Sequence, residues 1–153
     1  MKLHFVWVGK TKDRHCKALI SDYIERIGYF ASLELTELKE VEGSSEAEII
    51  AKEGLRLIES IARDDFVIAL DEKGEHMGSR DFSEKLGTLR DGGVKRLAFV
   101  VGGFAGLSEE FKDRANLKWS LSRLTLTHEM ARVVLAEQVY RAFTLLAGQR
   151  YHR

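Results

Sequence analysis

At 153 residues the chain suits one domain, since domains run to roughly 100–200 residues, and leaves no room for two. With 24 basic and 24 acidic residues it is formally neutral, and 44% of it is hydrophobic, which excludes a polycation and an acidic disordered tail. A single cysteine, Cys16, excludes an internal disulfide and a thiolate metal cluster, and no apolar run approaches the ~20 residues that span a bilayer.

The opening run Leu3–Val8 is too short and too strand-like for a signal peptide and predicts a first strand, so a soluble cytoplasmic domain is expected. The loop after it contains Gly9-Lys10-Thr11. A phosphate-binding P-loop needs a glycine five residues before its Gly-Lys, and His4 stands there; no G-x-G-x-x-G follows either. Lys10, Lys12, Arg14, His15 and Lys17 nevertheless make this loop locally basic. An amphipathic stretch over about 13–30 predicts a helix, and Leu33–Lys39 a second strand. The helix expected over 45–62 opens with Ser45 and has Glu48 three residues on, the signature of a capping box. Phe66–Leu70 reads as a buried strand, 79–90 as a helix, and Arg96–Val101 as a further buried strand. A short helix is expected near 108–116. The last spans 128–147, with Thr127 as N-cap and Gly148 as its stop. No proline, Ser/Gly-rich tract or repeat interrupts the alternation. The fold class is therefore a single α/β domain over 1–153, with a mostly parallel sheet flanked by helices. In such sheets ligands bind beyond the carboxyl ends of strands, which directs attention to the loops after Val8, Leu70 and Val101.

The loop after Val101, Gly102-Gly103-Phe104-Ala105-Gly106, permits positive φ and close approach of a ligand to the backbone; a tight turn into the next helix would use the same glycines. The stretch from Trp119 to His128 alternates hydroxyls and leucines. That pattern suits a segment wrapped around a mixed polar and apolar ligand, or an edge strand with its hydroxyls in water. His128-Glu129-Met130-Ala131-Arg132 lacks the second histidine of a zinc helix, and the histidines at 4, 15, 76 and 152 show no ligand spacing, so no metal is expected. On the final helix the His128/Arg132 and Glu137/Arg141 pairs centre about 180° apart. Apolar residues fill much of the remaining circumference, so burial on a second side, against another subunit, is expected. From Lys118 onward six basic residues stand against two acidic ones, giving that part a net +4 and the first 117 residues −4. The chain ends Gln149-Arg150-Tyr151-His152-Arg153, cations with an aromatic ring to stack on bases, or a frayed end.

Five segments in this order carry a family likeness: Ala-Leu-Asp-Glu-Lys-Gly from Ala69, Val-Gly-Gly-Phe-Ala-Gly-Leu from Val101, Ser-Leu-Ser-Arg-Leu-Thr-Leu-Thr-His from Ser120, Glu-Gln-Val-Tyr-Arg-Ala from Glu137, and the terminal Tyr-His-Arg. Over essentially its whole length the chain resembles the H family of ribosomal RNA large subunit methyltransferases, of the SPOUT class. The resemblance implies a C-terminal trefoil knot, a homodimer, S-adenosylmethionine as methyl donor, and N3 of a pseudouridine in 23S rRNA of the assembled ribosome as acceptor. It implies a cofactor pocket at Leu70, Gly102, Gly103, Leu121, Ser122, Arg123, Leu124, Thr125 and Leu126. It assigns catalysis or rRNA binding to His128, Arg132, Glu137, Arg141 and His152, and RNA contact to Tyr151, His152 and Arg153. The base that takes the N3 proton is left open between His128 and His152, with Arg132, Arg141 or Arg153 to stabilise the anion. Two rivals stand beside this reading: a non-catalytic RNA- or ribosome-binding module using the same basic face, and a small-molecule enzyme with a nucleotide at the glycine turn.

Overall fold

Apolar runs become central strands where helices cover both faces of a sheet, and this chain builds such a sheet from five short segments. The computed structural model describes residues 1–151. The elements are β1 (Lys2–Val8), α1 (Arg14–Ile27), β2 (Leu33–Leu38), α2 (Glu46–Ser60), β3 (Phe66–His76), α3 (Ser79–Asp91), β4 (Arg96–Val101), α4 (Glu109–Arg114), β5 (Leu117–Ser120) and α5 (His128–Leu146). The sheet order is β2-β1-β4-β3-β5, with every pairing parallel.

Side chains alternate across this sheet with the strand period of two. Phe5, Trp7, Ile68, Phe99 and Val101 point to one face and are covered by Ile20, Phe82, Leu86, Val139 and Phe143 from α1, α3 and α5. Val6, Val8, Val67, Ala69, Ala98 and Val100 point to the other, beneath Leu57 of α2 and Phe111 of α4. All carboxyl ends of the strands therefore share one edge. Among the described residues no helix is long and apolar enough to cross a membrane.

The expected α/β architecture with a mostly parallel sheet is present; two features depart from the periodicity. β3 runs on to His76, and a fifth strand, β5, pairs along it. Leu70 and Glu75 both stand opposite Trp119, so Asp71–Gly74 bulges out of the ladder. Their polar composition hides the extension, and β5 has only four residues. The capping box is half formed. Ser45 Oγ accepts from Glu48 N–H at 3.1 Å, but the Glu48 carboxylate turns one residue upstream, to the N–H and hydroxyl of Ser44. At the other end of the chain Thr127 Oγ1 accepts from Met130 N–H. α5 stops at Gly148 (φ +67°), with Gly148 N–H on Leu145 O and Gln149 N–H on Thr144 O, the two bonds of a Schellman motif.

Candidate active site

At the carboxyl edge of the sheet the ends of β3, β4 and β5 and the start of α5 enclose a cleft of about 770 Å³. Two loops form its walls. The first, after β4, doubles back: Gly106 N–H donates to Gly103 O at 3.1 Å, and Gly106 adopts φ +87°. The backbone carbonyl of Gly106 comes so close that a Cβ on Gly102 would stand 2.8 Å from it. Gly103 is constrained differently, because its Cβ would meet the Glu53 carboxylate at 3.0 Å. Glu53 reaches this position from α2. It is buried, one of its oxygens has no hydrogen-bond partner among the described residues, and burial, with Glu40 second, pushes its carboxyl above the usual range.

The second wall is the segment after β5. Its two serine hydroxyls serve its own backbone: Ser120 Oγ donates to Ser122 O at 3.0 Å, and Ser122 Oγ accepts from Leu124 N–H at 2.9 Å. The segment is a hydrogen-bonded loop; only its entry, up to Ser120, is strand. Leu70, Gly102, Gly103, Leu121, Ser122, Leu124, Thr125 and Leu126 all line the cleft, while Arg123 does not and its side chain is exposed. Leu124 and Phe104 are 78% and 69% exposed, one on each wall, so large apolar groups are held at the mouth. The bulge residues Asp71, Glu72 and Lys73, with Lys112 of α4 and Trp119, also line it and were not singled out in the sequence as site residues. Lys112 Nζ lies 3.4 Å from Asp71 and 3.0 Å from Glu109. The hydrogen bond to Glu109 leads the effects that raise its pKa. The Trp119 indole N–H is buried without a partner among the described residues. Among these residues no group of three or more His, Cys, Asp or Glu side chains is disposed to hold a metal ion.

α5 divides the remaining candidates. His128, Glu129 and Ala131 line the cleft. Arg132 does not reach a surface: it is fully buried, donating to Thr11 Oγ1 at 3.0 Å and Val8 O at 2.6 Å, with its guanidinium 5.1 Å from the Trp7 ring. Burial lowers its pKa, opposed by Glu129, Glu37 and Glu40. Somewhat over one turn on, Glu137 accepts from Arg141 Nε at 2.9 Å, and the Arg141 guanidinium lies 4.8 Å from the Tyr151 ring. Tyr151 folds back onto α5 and α1, its hydroxyl 3.3 Å from Glu137 and 3.4 Å from the Tyr23 hydroxyl. Burial and then the Tyr23 hydrogen bond push this phenol well above its ordinary pKa. His152 and Arg153 lie outside the described residues. Nine residues separate His128 from Glu137, about 13 Å along the helix, so one chain presents a cleft and a separate Glu137–Arg141–Tyr151 cluster.

The family described as "Predicted SPOUT methyltransferase" matches residues 1–152. The ribosomal RNA large subunit methyltransferase H of Geotalea uraniireducens (strain Rf4) is 41% identical over 152 residues, covering 99% of each chain. The protein of that name from Streptococcus pneumoniae (strain CGSP14) is 43% identical over 159 aligned positions, covering 100% of each. Among solved structures, a probable methylase family protein from Haemophilus influenzae Rd KW20 superposes with a TM-score of 0.56 at 14% identity, covering 99% of this chain and 70% of that one. The tRNA (m1G37) methyltransferase of Aquifex aeolicus superposes at 0.54 with 16% identity, covering 92% and 70%. These two likenesses bear on the fold alone. With its whole length matched and its relatives at this level of identity, the chain belongs to the SPOUT methyltransferase family.

Proposed function

We propose that the protein transfers a methyl group from S-adenosylmethionine to N3 of a pseudouridine in 23S rRNA of the assembled ribosome. It does so as a cytoplasmic homodimer whose C-terminal part is tied in a trefoil knot. The observation that carries this reading is the cleft walled by the 102–106 turn and the 121–126 loop, at the carboxyl edge of the sheet. Its residues fit the donor. Small-molecule sites occupy roughly 300–1,000 Å³, and this cleft offers about 770 Å³. Leu70, Leu121 and Leu126 are apolar, Asp71 and Lys112 match a zwitterionic amino-acid end, and the glycine turn admits a ligand against the backbone. The relatives named above are rRNA methyltransferases, which supports rRNA as the substrate class.

The bound donor supplies an electrophilic methyl group, so the protein mainly has to align donor and acceptor. The two loops do the aligning, and the apolar mouth at Phe104 and Leu124 holds the acceptor base out of water. The N3–H proton passes to a base as the N–C bond forms and the donor's methyl C–S bond breaks, leaving the thioether S-adenosylhomocysteine. His128 lines the cleft and suits that role; His152 is the other candidate. Arg141, held by Glu137, supplies positive charge for the imidate, with Arg153 as its partner in the tail. Arg132 takes no such role, being engaged with Val8 and Thr11 at the loop after β1. Packing of a second copy against α5 would bring the Glu137–Arg141–Tyr151 cluster of one subunit to the cleft of the other, which a single chain holds apart.

Incubation with labelled S-adenosylmethionine and 70S ribosomes, free rRNA or tRNA tests the reading. Label is expected in the 23S rRNA of 70S particles; label in tRNA alone, or no transfer at all, overturns it. A non-catalytic binding module would show no affinity for S-adenosylmethionine in calorimetry.

A further inference from the structure

The loop between β1 and α1, with the first turn of α1, carries Lys10, Lys12, Arg14 and Lys17, all exposed. The carboxylates of the same neighbourhood, though Asp13, Glu37 and Glu40 are exposed, are mostly engaged by other donors. Asp13 accepts from the N–H groups of His15 and Cys16, both at 2.9 Å. Glu37 accepts from Trp7 Nε1 at 3.0 Å and Thr11 N–H at 3.3 Å. Glu129 accepts from Lys12 N–H and Asp13 N–H. Glu40 alone among the described residues meets a cation of the loop, 3.8 Å from Lys12 Nζ, while Arg14 Nε reaches the neighbouring His15 ring. Among the described residues no carboxylate pairs with Lys10, Arg14 or Lys17.

The loop is also fixed in place. Arg132 holds Val8 O and the Thr11 hydroxyl from inside, and Gly9 N–H is bonded to Leu38 O at 2.7 Å. With its hydroxyl taken and only 8% of the residue exposed, Thr11 has no part in a nucleotide site despite the Gly-Lys-Thr spelling. Glu129, whose carboxylate caps the loop, lines the cleft as well. A rigid set of outward cations therefore adjoins the cleft on the same edge of the sheet.

We propose that this loop is a second RNA contact, gripping the phosphodiester backbone beside the nucleotide presented to the cleft. The inference rests on the reading of rRNA as substrate. Lysines act on phosphate as point charges and carry no base specificity, so the contribution is to affinity and to its salt dependence. A loop already fixed loses little freedom when it binds.

The test compares Lys10→Ala/Lys12→Ala/Lys17→Ala with Arg63→Ala/Lys95→Ala, which removes exposed cations from the opposite edge. Binding to 70S ribosomes over a salt series is read separately from methyl transfer, and S-adenosylmethionine calorimetry and thermal melting report folding. The loop variant is expected to lose at least about tenfold in ribosome affinity, with a slope of log affinity against log salt shallower by about two. Its cofactor affinity and melting should match wild type, and the control pair should bind ribosomes normally. Unchanged affinity and slope in the loop variant overturn the proposal, as does an equal loss in the control pair. Loop-dependent binding that survives removal of the rRNA overturns it in favour of an acidic ribosomal protein. Loop-dependent binding to rRNA without methyl transfer upholds the contact and overturns methylation instead.

Discussion

At Gly102 and Gly103 the same added methyl group meets neighbours of opposite character. A Cβ on Gly102 runs into the Gly106 backbone at 2.8 Å, which cannot move without opening the turn. A Cβ on Gly103 meets the end of the Glu53 side chain, which can swing aside. Gly102→Ala should therefore cost about 1–3 kcal/mol of stability, together with most of the S-adenosylmethionine affinity, and Gly103→Ala distinctly less of both. Calorimetry and denaturant titration check the ranking, and the reverse order would remove the turn from the site. Glu53 adds a pH signature. Its carboxyl is raised by burial, so between the ordinary glutamate pKa and the raised one the folded protein binds more protons than the unfolded chain. That term weakens the fold as pH climbs through this window. Glu53→Gln removes it, and the variant should melt higher than wild type at pH 8 while the difference shrinks towards pH 4.

Between elements, Arg132 is the clamp that joins α5 to the loop after β1. Replacing it by alanine leaves Val8 O and the Thr11 hydroxyl without their donor and uncovers the Trp7 ring. A loss of about 3 kcal/mol is expected in urea titration, as for charge-assisted hydrogen bonds together with a buried stem. Arg132→Lys should recover only part of it, having one point charge for two acceptors. A variant that kept full stability but lost activity would return Arg132 to the substrate. The burial of this residue was not legible in the sequence: four residues after His128 on a polar stripe, it reads as a surface cation, and only the fold sets Thr11 opposite it. The strands β1, β2 and β4 and the ends of α5 were legible because apolar runs and caps are local signals. β5 and the far half of β3 were not, being a four-residue edge and a polar extension that exist only as each other's partner. Of the nine pocket residues that the family resemblance implied, all but Arg123 line the cleft, whereas Asp71, Glu72, Lys73 and Lys112 join them through that pairing and through α4, with no periodicity to mark them.

On the scale of the whole molecule, the separation of cleft and cluster along α5 sets the strongest demand on assembly. In one chain His128 and Glu137 are nine residues apart on a rigid helix, and Tyr151 is tied to the Glu137 end by its hydroxyl and its ring. If two copies complete each other, light scattering should return roughly twice 17.4 kDa at micromolar concentration. A sharper prediction comes from mixing. A variant dead in the cleft, Gly102→Val, and a variant dead in the cluster, Arg141→Ala, are each inactive as homodimers. Statistical exchange makes half the molecules mixed dimers, and each of these has one site with an intact cleft facing an intact cluster. About a quarter of the wild-type methyl transfer to ribosomes should therefore return on mixing. Exchange is verified by native mass or by differential tagging, so that silence has one meaning. With mixed dimers present, no recovered activity would put cleft and cluster to work within one chain, and the helix, not a partner, would have to bridge them.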